Sequence, residues 1–452
     1  MSSRLVARLA ATAAVALPAP SSRARASWCA SLVNFSRNRH GAARRAPAGH
    51  AQDSSRARAP FMPPPFSAAA MASPRAGAEK LAGVPVPAGD ATTTLLVITS
   101  PEHRGGAQLR RLADPAAVAA WAGGRRVDVH VGCSVDDFDD AILSDADSND
   151  PVVLLWWFGD PKTMGEVLRR PAGKRVAWMH SGAAGVEHLL REPAIKRLSD
   201  VPLTNARGAF SASLGEWAVF SFLWFNKNVT RMRAAQANGE WMRAPVGMLS
   251  GKSVAIIGYG DIGRAVATRS RAMGMRVVGL RRDPSKSEAD VRGKVLDAIE
   301  ALSGDELRRV VAEADFVVLA LPHTAETEGL FSREIIFESM KPSSILVNLG
   351  RGAVVDEEAL IEALREGKIA GAALDVTTQE PLPKGHPLYA MENVLLSFHT
   401  ADLTDDYFDL TLQVFAQHLR AYAGEPVADS RETGLDALHA PAWNLVDKEK
   451  GY

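Results

Sequence analysis

The stretch SVAIIGYGDIGRAVA, residues 253–267, decides the fold of the chain. An apolar run ends at Gly258, and Gly260 and Gly263 follow it where a helical pattern begins. The first glycine permits a tight turn, the second lets the backbone approach a pyrophosphate, and the third lets helix and strand pack closely. The free N–H groups at the start of the helix favour phosphate. With a second strand pattern at 275–280, MRVVGL, the stretch predicts a dinucleotide-binding βαβ unit.

The glycine loop and the end of the second strand predict the cofactor contacts. Asp261 and Ile262 lie inside the loop. Arg281 and Arg282 follow the strand, at the point where an NAD-selective site would carry an acidic residue. Because planar guanidinium groups match the oxygens of a 2′-phosphate, the pattern predicts NADP, with NAD as the second choice. Alternatively, the arginines only solvate the strand end and Asp283 turns inward.

Outside this unit, short β-branched runs alternate with longer helical stretches. Five runs precede an apolar helical stretch that begins near Ser211: TTLLVITS, RRVDVHVG, PVVLLWWF, KRVAWMH and VPLTN. Six runs follow it: SVAIIG, MRVVGL, ADFVVLALP, SSILVNLG, GAALDV and NVLLSFH. Such alternation predicts an α/β fold with two Rossmann-like parallel-sheet domains. A last helical stretch, from Asp402 to about Gly424, is expected to pack back on the first domain.

The first 90 residues differ in composition from the rest of the chain. They are rich in Ala, Arg, Ser and Pro, with no acidic residue before Asp53 and no lysine before Lys80. This composition is typical of an organelle transit peptide, and we favour a chloroplast over a mitochondrion. The alternative is a disordered extension of biased composition. Translation from Met71 would give a cytosolic form.

Charge, hydropathy and cysteine usage argue against several classes of protein. The 52 basic and 52 acidic residues balance, whereas a nucleic-acid binder needs a basic surplus. No apolar run approaches the length that crosses a bilayer. Cys29 and Cys133 lie far apart, which leaves neither a disulfide framework nor a cysteine-rich metal site. We therefore expect a small-molecule partner, rather than nucleic acid or a membrane, and no metal.

Three charged or titratable residues follow three successive strand patterns. Arg351 stands between two glycines after SSILVNLG, Glu380 follows GAALDV, and His399 ends NVLLSFH. A fixed cation there could hold an anionic, carbonyl-bearing substrate at the sheet edge where α/β folds bind ligands. An imidazole can protonate the alkoxide that hydride transfer leaves, and a nearby carboxylate would keep it charged. Each residue also has a simpler interpretation. Arg351 could be a surface cation, Glu380 a charge in a loop, and His399 a buried histidine with its hydrogen bonds satisfied.

The run from about residue 249 to 399 resembles the D-isomer-specific 2-hydroxyacid dehydrogenase family, particularly its glyoxylate and hydroxypyruvate reductase branch. The motifs LSGKSVAIIGYGDIG, AMGMRVVGL, LPHTAETEGLF, MKPSSILVNLGRGAVVDEEAL, GKIAGAALDVTTQEPLP and HPLYAMENVLLSFH stand in the order of that family. The resemblance implies that Arg351 binds the substrate, that His399 is the acid/base and that Glu380 supports it.

The resemblance also adds site residues. Pro322, in LPHTAETEGLF, and Asp375, in GAALDV, would lie beside the cofactor, with Asp375 near the nicotinamide. The loop HSGAAGVEHL looks like the one whose backbone amides bind the substrate carboxylate, which places Ala184 and Gly185 at the site. The stretch WWFGD, 156–160, resembles a pocket-forming loop, although two tryptophans after an apolar strand also fit a core.

The function implied by the resemblance is reduction of a small 2-oxo acid to the D-2-hydroxy acid with NAD(P)H. The enzyme would be a homodimer built on the cofactor domains. The predicted organisation is a flavodoxin-like substrate domain at 91–210, completed by 402–425, an NAD(P)-binding Rossmann domain at 211–401, and a C-terminal tail at 426–452.

One departure from the family concerns the neighbours of His399. The family usually has a proline before the histidine and small residues with glycine after it, whereas this chain has Phe398 before it and Thr400, Ala401 and Asp402 after it. These neighbours put the substrate in doubt. The alternative function is therefore a catalytically weak, dinucleotide-sensing scaffold with the same fold.

Overall fold

The computed structural model describes residues 91–101, 106–198, 200–425 and 444–451, which form two parallel α/β sheets. The segment predicted as a transit peptide lies outside the described residues. The first sheet has the flavodoxin-like strand order β2-β1-β3-β4-β5. Its strands are β1 (Thr93–Thr99), β2 (Val127–Gly132), β3 (Val152–Trp157), β4 (Val176–Ser181) and β5 (Leu203–Asn205). The predicted fold class is confirmed.

The second sheet has seven strands in the order β12-β11-β10-β9-β6-β7-β8. They are β6 (Ser253–Ile257), β7 (Arg276–Arg281), β8 (Ala298–Ala301), β9 (Phe316–Leu319), β10 (Ile345–Asn348), β11 (Gly371–Leu374) and β12 (Val394–Leu396). The order reverses between β6 and β9, at the switch point where dinucleotides bind in Rossmann folds. The prediction of six strands was wrong by one, because β8 is a short, partly exposed edge strand without an apolar run.

Helices cover both sheets. In the described residues they are α1 (Gly106–Leu112), α2 (Pro115–Trp121), α3 (Asp140–Ser144), α4 (Pro161–Arg169), α5 (Glu187–Leu190), α6 (Pro193–Arg197), α7 (Ser211–Asn226), α8 (Val229–Asn238), α9 (Asp261–Ala272), α10 (Glu288–Arg292), α11 (Gly304–Glu313), α12 (Glu357–Glu366) and α13 (Tyr407–Tyr422). None of them is both long enough and apolar enough to cross a membrane.

The helical stretch predicted from Ser211 is two helices rather than one. Asn228 has a φ of 53°, a left-handed conformation that an α-helix does not accommodate. The chain therefore turns between α7 and α8. Helix α7 packs against α9, the helix that follows the glycine loop, with Gly215 next to the backbone of Ala265.

The last helix, α13, returns the chain to the first sheet. Its Phe415, Leu419 and Tyr422 are buried in a core that also contains Trp178 of β4. The rings of Trp178 and Phe415 stack with their centroids 5.7 Å apart. The chain thus leaves the first sheet through α7 and comes back after β12, so both connections run between the two sheets, and the space between the sheets is called the cleft below.

Candidate active site

The glycine loop joins β6 to α9 and leaves room for a phosphate group. Gly258 has a φ of 96°, and a Cβ there would stand 2.6 Å from the carbonyl oxygen of Ala320. A Cβ on Gly263 would stand 2.9 Å from the carbonyl oxygen of Gly258, whereas one on Gly260 would meet no atom within 4 Å. The first N–H groups of α9 have no partner within the helix. The loop therefore fits the pyrophosphate of a dinucleotide.

The side chains of Asp261 and Ile262 are engaged with the protein itself. Oδ2 of Asp261 lies 3.1 Å from Nε of Arg207, which follows β5 in the first sheet. Ile262 packs, partly buried, against the core of the second sheet. A dinucleotide in the loop would therefore meet these two residues through the backbone of the first helical turn. The ion pair of Asp261 also connects the two sheets across the cleft.

Two guanidinium groups stand at the end of β7. Nη1 of Arg281 donates to the hydroxyl oxygen of Ser287 over 2.5 Å, and Arg282 is exposed. Asp283 is engaged as the cap of the short helix that follows, because its Oδ1 accepts from the N–H and the hydroxyl of Ser285 at 3.2 and 2.6 Å. Asp283 does not turn inward, so the strand end presents cations rather than an acceptor for a ribose hydroxyl.

The loops after β9 and β10 touch each other beside the glycine loop. The carbonyl oxygen of Pro322 accepts a hydrogen bond from Oγ1 of Thr327 over 2.6 Å. A Cβ on Gly350 would stand 2.4 Å from the carbonyl oxygen of Leu321, so this contact requires glycine. Pro322 thus lies in a tightly constrained loop at the cofactor edge of the sheet.

Asp375, at the end of β11, fixes the loop that carries His399. Only 4% of Asp375 is exposed, and its backbone oxygen accepts from the N–H of His399 over 2.6 Å. Its Oδ1 accepts from the hydroxyl of Ser397 at 2.6 Å and from the N–H groups of Thr400 and Ala401 at 3.0 and 3.1 Å. A buried carboxylate with this many donors holds the loop from Ser397 to Ala401, and His399 within it, in one conformation.

His399 and Glu380 form a hydrogen-bonded pair in the cleft. Nδ1 of His399 lies 2.8 Å from Oε2 of Glu380, whose Oε1 accepts from the N–H of Thr377 at 3.0 Å. The hydrogen bond to Glu380 raises the pKa of His399 above its usual value, although burial opposes it. Burial acts to raise the pKa of Glu380, but the bonds from His399 and Thr377 outweigh it and the pKa is lowered. The pair therefore favours imidazolium and carboxylate, with Nε2 as the nitrogen turned away from Glu380.

Arg351 reaches across the cleft to the first sheet. Its Nε donates to Oε1 of Glu187, at the start of α5, over 2.9 Å, and its Nη1 donates to the carbonyl oxygen of Gly350 over 2.9 Å. Asn348 holds the loop, because its side chain binds the N–H of Gly350 at 3.1 Å and the carbonyl of Arg351 at 3.0 Å. The charge of Arg351 influences the pKa of both His399 and Glu380. The three predicted catalytic residues therefore converge.

The loop after β4 lies directly against Arg351. A Cβ on Gly185 would stand only 2.2 Å from Nη2 of Arg351, so the guanidinium rests on the loop backbone. The carbonyl oxygen of Ala184 accepts from Nδ2 of Asn205 over 2.6 Å. Ala184 and Gly185 thus lie beside the arginine. A site that binds one carboxylate between this loop and the guanidinium group requires such an arrangement.

The tryptophans of the WWFGD stretch belong to the core. Trp157 is fully buried and Trp156 is 6% exposed, which agrees with the alternative interpretation for both. Phe158 has a φ of 58° and is partly exposed; its ring lies 6.0 Å from that of Tyr407. A Cβ on Gly182, in the loop after β4, would be 3.2 Å from the Phe158 ring. Of the three aromatic residues of this stretch, only Phe158 is partly exposed.

Two carboxylates near the site, those of Glu187 and Asp402, were not predicted as site residues from the sequence. Burial acts to raise the pKa of Glu187, but the charge of Arg351 and the hydrogen bonds to the carboxylate together lower it. Burial raises the pKa of Asp402, an effect that His399 opposes and Asp375 reinforces. The sequence signal for Glu187 was its position two residues after Gly185, in the same motif. The described residues contain no cluster of His, Cys, Asp or Glu that could hold a metal.

The geometry defines a dinucleotide-binding domain facing a cation, a carboxylate and an imidazole. Residues 219–401 match the family model of the D-isomer specific 2-hydroxyacid dehydrogenase, NAD binding domain. A glyoxylate reductase from Thermococcus litoralis is 32% identical over 251 residues, covering 53% of this chain and 72% of the relative. One from Korarchaeum cryptofilum is 33% identical over 249 residues, covering 53% and 71%. The chain belongs to the D-isomer-specific 2-hydroxyacid dehydrogenase family, and is thus an oxidoreductase of 2-hydroxy acids.

Solved structures show the same architecture. A D-isomer specific 2-hydroxyacid dehydrogenase from Xanthobacter autotrophicus, in complex with NADPH and MES, superposes with a TM-score of 0.61 at 28% identity, covering 80% of this chain and 100% of the other. An NADPH-dependent glyoxylate/hydroxypyruvate reductase from Sinorhizobium meliloti, in complex with NADP and sulfate, has a TM-score of 0.56 at 25% identity, covering 80% and 100%.

Proposed function

We propose that the protein reduces a small 2-oxo acid, of the size of glyoxylate or hydroxypyruvate, to the D-2-hydroxy acid with NADPH. The observation that carries the proposal is the hydrogen-bonded pair of His399 and Glu380 beside Arg351, on the cofactor edge of the second sheet. The names of the similar glyoxylate reductases support the substrate class. A protein that only sensed the dinucleotide would have no need of these three side chains.

The residues of the chain have separate tasks in this reaction. The glycine loop and the end of β7 would hold the cofactor, which would supply a hydride to C2 of the 2-oxo acid, and one proton would complete the 2-hydroxy acid. Arg351 and the N–H groups of the Ala184–Gly185 loop hold the substrate carboxylate. His399 gives its Nε2 proton to the carbonyl oxygen, and Glu380 stabilises the imidazolium that is needed before each turnover. The cleft between the sheets limits the access of water.

The test is turnover by the purified full-length protein. Oxidation of NADPH and of NADH is followed by absorbance with glyoxylate, hydroxypyruvate, pyruvate and bulkier 2-oxo acids. We expect the highest kcat/KM with NADPH and one of the two smaller acids. Tight NADPH binding without turnover of any acid would overturn the proposal and favour the dinucleotide-sensing scaffold.

NADP preference rests on the end of β7. Two guanidinium groups stand there and Asp283 is engaged as a cap, and NADPH or NADP occupies two of the similar structures. We expect Arg282→Ala to raise the KM for NADPH about 10-fold, because a charge-assisted bond to phosphate is lost, and to leave the KM for NADH unchanged. Arg292→Ala is the control, because Arg292 forms an exposed pair within α10. Equal effects on both cofactors would contradict the assignment.

We also propose a homodimer that buries the surface around α7 and the segment after α8. Trp241 is 92% exposed, Met248 70% and Phe220 47%. Exposing large apolar side chains to water is unfavourable, and a subunit contact would bury them. Trp241→Glu should shift the molecular mass measured by light scattering from dimer to monomer at micromolar concentration. Ala116→Glu, on the exposed face of α2, should leave the dimer intact. A wild-type monomer would contradict the proposal.

For residues 1–90 we propose import into a plastid. The basis is their arginine-rich composition without acidic residues before Asp53. A fluorescent protein fused behind this segment should accumulate in chloroplasts, and mitochondrial fluorescence would contradict this destination.

A further inference from the structure

The C-terminal segment, residues 444–451, docks on the free edge of the first sheet. Leu445 forms an antiparallel bridge with Thr204 of β5, and the N–H of Val446 donates to the carbonyl oxygen of Leu203 over 2.8 Å. Asn444 is 1% exposed and Val446 8% exposed. Part of the stretch predicted as a tail is therefore paired with the edge strand of the first sheet.

Asn444 connects this segment to the backbone that leaves β5. Its Nδ2 donates to the carbonyl oxygens of Arg207 at 2.7 Å and Asn205 at 3.3 Å, and its N–H lies 3.3 Å from Nε2 of His418 on α13. One amide group thus fixes two carbonyls that are two residues apart. The turn after β5 is held from outside the sheet by a residue far away in sequence.

The turn held by Asn444 in turn holds the loop after β4. Nδ2 of Asn205 donates to the carbonyl oxygen of Ala184 over 2.6 Å, while its Oδ1 accepts from the N–H of Arg207 over 3.2 Å. Because the peptide group is planar and trans, anchoring the Ala184 carbonyl also sets the direction of the Gly185 N–H. That N–H is one of the donors assigned to the substrate carboxylate.

We propose that Asn444 is a positioning residue for substrate binding, which acts through Asn205 on the Gly185 N–H. The inference rests on the proposed function for its substrate. The C-terminal segment is then a structural part of the carboxylate site, although it touches neither substrate nor cofactor. Removing the Asn444 amide leaves one buried and one partly buried carbonyl without this donor and lets the turn and the loop shift together.

The experiment is a double-mutant cycle in the full-length chain with Asn444→Ala and Asn205→Ala. We expect each single variant to raise the KM for the best 2-oxo acid about 10-fold with kcat changed less than about 3-fold. The double variant should be no worse than the worse single one, because both act on the same N–H. The Kd for NADPH should stay within about 2-fold.

The control is Asp447→Ala, since among the described residues the side chain of Asp447 bonds only within the segment, to Glu449 and Lys450. It should leave the KM unchanged. Any of three results would overturn the inference. The effects of the two asparagine variants on KM multiply in the double variant, Asn444→Ala leaves KM unchanged, or Asn444→Ala weakens NADPH binding as much as substrate binding. If Asn444→Ala does not fold, Asn444→Ser replaces it in the same cycle, because serine retains one short hydrogen-bond donor. The same results then support or overturn the inference.

If the wild-type protein turns over no 2-oxo acid, the function fails, but the carboxylate site can still be measured with oxalate as the probe. Oxalate binding to the NADPH complex, followed by nucleotide fluorescence, should weaken about 10-fold in Asn444→Ala. Equal oxalate affinity in both proteins overturns the inference by itself.

Discussion

Replacing His399 with alanine should lower kcat for 2-oxo acid reduction by about 100- to 10,000-fold, the range expected when a general acid is lost. NADPH binding should persist, because the glycine loop and the strand end with Arg281 and Arg282 are untouched. The geometry sets this expectation: His399 is held by Glu380 at 2.8 Å, and Asp375 binds the backbone N–H of His399 and those of the two residues after it. Stopped-flow absorbance measures the chemical step, and fluorescence titration measures the Kd for NADPH. An unchanged kcat would remove His399 from its role.

The matched variant is Glu380→Gln, which tests the pH dependence. Reduction requires the imidazolium, and the bond to Glu380 raises the pKa of His399 above its usual value. The wild-type rate should therefore be fully present at low pH and should fall as the pH rises through that raised pKa. In Glu380→Gln the fall should occur at lower pH, since the carboxylate no longer favours the charged form. A fall at the same pH in both proteins would contradict this assignment.

Local patterns predicted most of the fold. The glycine loop lies within one βαβ unit, so its consequences could be argued without knowledge of the rest of the chain. Strand β8 could not be found this way, because Ala298–Ala301 is held by its pairing with β7 rather than by an apolar pattern. The turn at Asn228 was missed for a related reason: its left-handed conformation interrupts a stretch whose helical pattern continues on both sides.

The convergence of Arg351, Glu380 and His399 could be predicted because they follow β10, β11 and β12, which are adjacent in the sheet. The partner of Arg351 could not be predicted from the sequence. Glu187 belongs to the other sheet, 164 residues earlier, and Asn444 is 239 residues from Asn205. Pairings of this kind depend on how the two sheets and the C-terminal segment are placed relative to one another. The hydrophobic periodicity of the sequence contains no information about that placement.

The residue before His399 has a backbone conformation that the family's usual proline could not adopt, because the proline ring fixes φ at about −65°. Phe398 and His399 have φ values of 56° and 55°, a strained conformation that costs about 1–3 kcal/mol for a single residue. Thr400 and Ala401 bind Asp375 through their N–H groups, which any residue except proline supplies. The side chain of Phe398 is 64% exposed. The departure from the family therefore changes both the backbone before His399 and the exposed surface beside it.

A single methyl group on Gly185 should lower kcat/KM for the 2-oxo acid about 100-fold, which corresponds to the loss of a charge-assisted, paired hydrogen bond. The added Cβ would stand 2.2 Å from Nη2 of Arg351 and 2.9 Å from Oε2 of Glu187, both closer than van der Waals contact. Arg351 cannot yield freely, because Glu187 and the carbonyl oxygen of Gly350 hold it at 2.9 Å each. Steady-state kinetics of Gly185→Ala with variable 2-oxo acid measures the effect.

Gly182→Ala is the matched control in the same loop. Its Cβ would meet the Phe158 ring and the carbonyl oxygen of Trp156 at 3.2 Å each, which small shifts relieve, so kcat/KM should change only a few-fold. Neither Gly182 nor Gly185 has a positive φ, so neither alanine is opposed by backbone strain. The difference between the two variants therefore isolates the displacement of Arg351. A wild-type KM in Gly185→Ala would show that the arginine can move and still bind the carboxylate, and would remove the contact between this loop and Arg351 from the proposed mechanism.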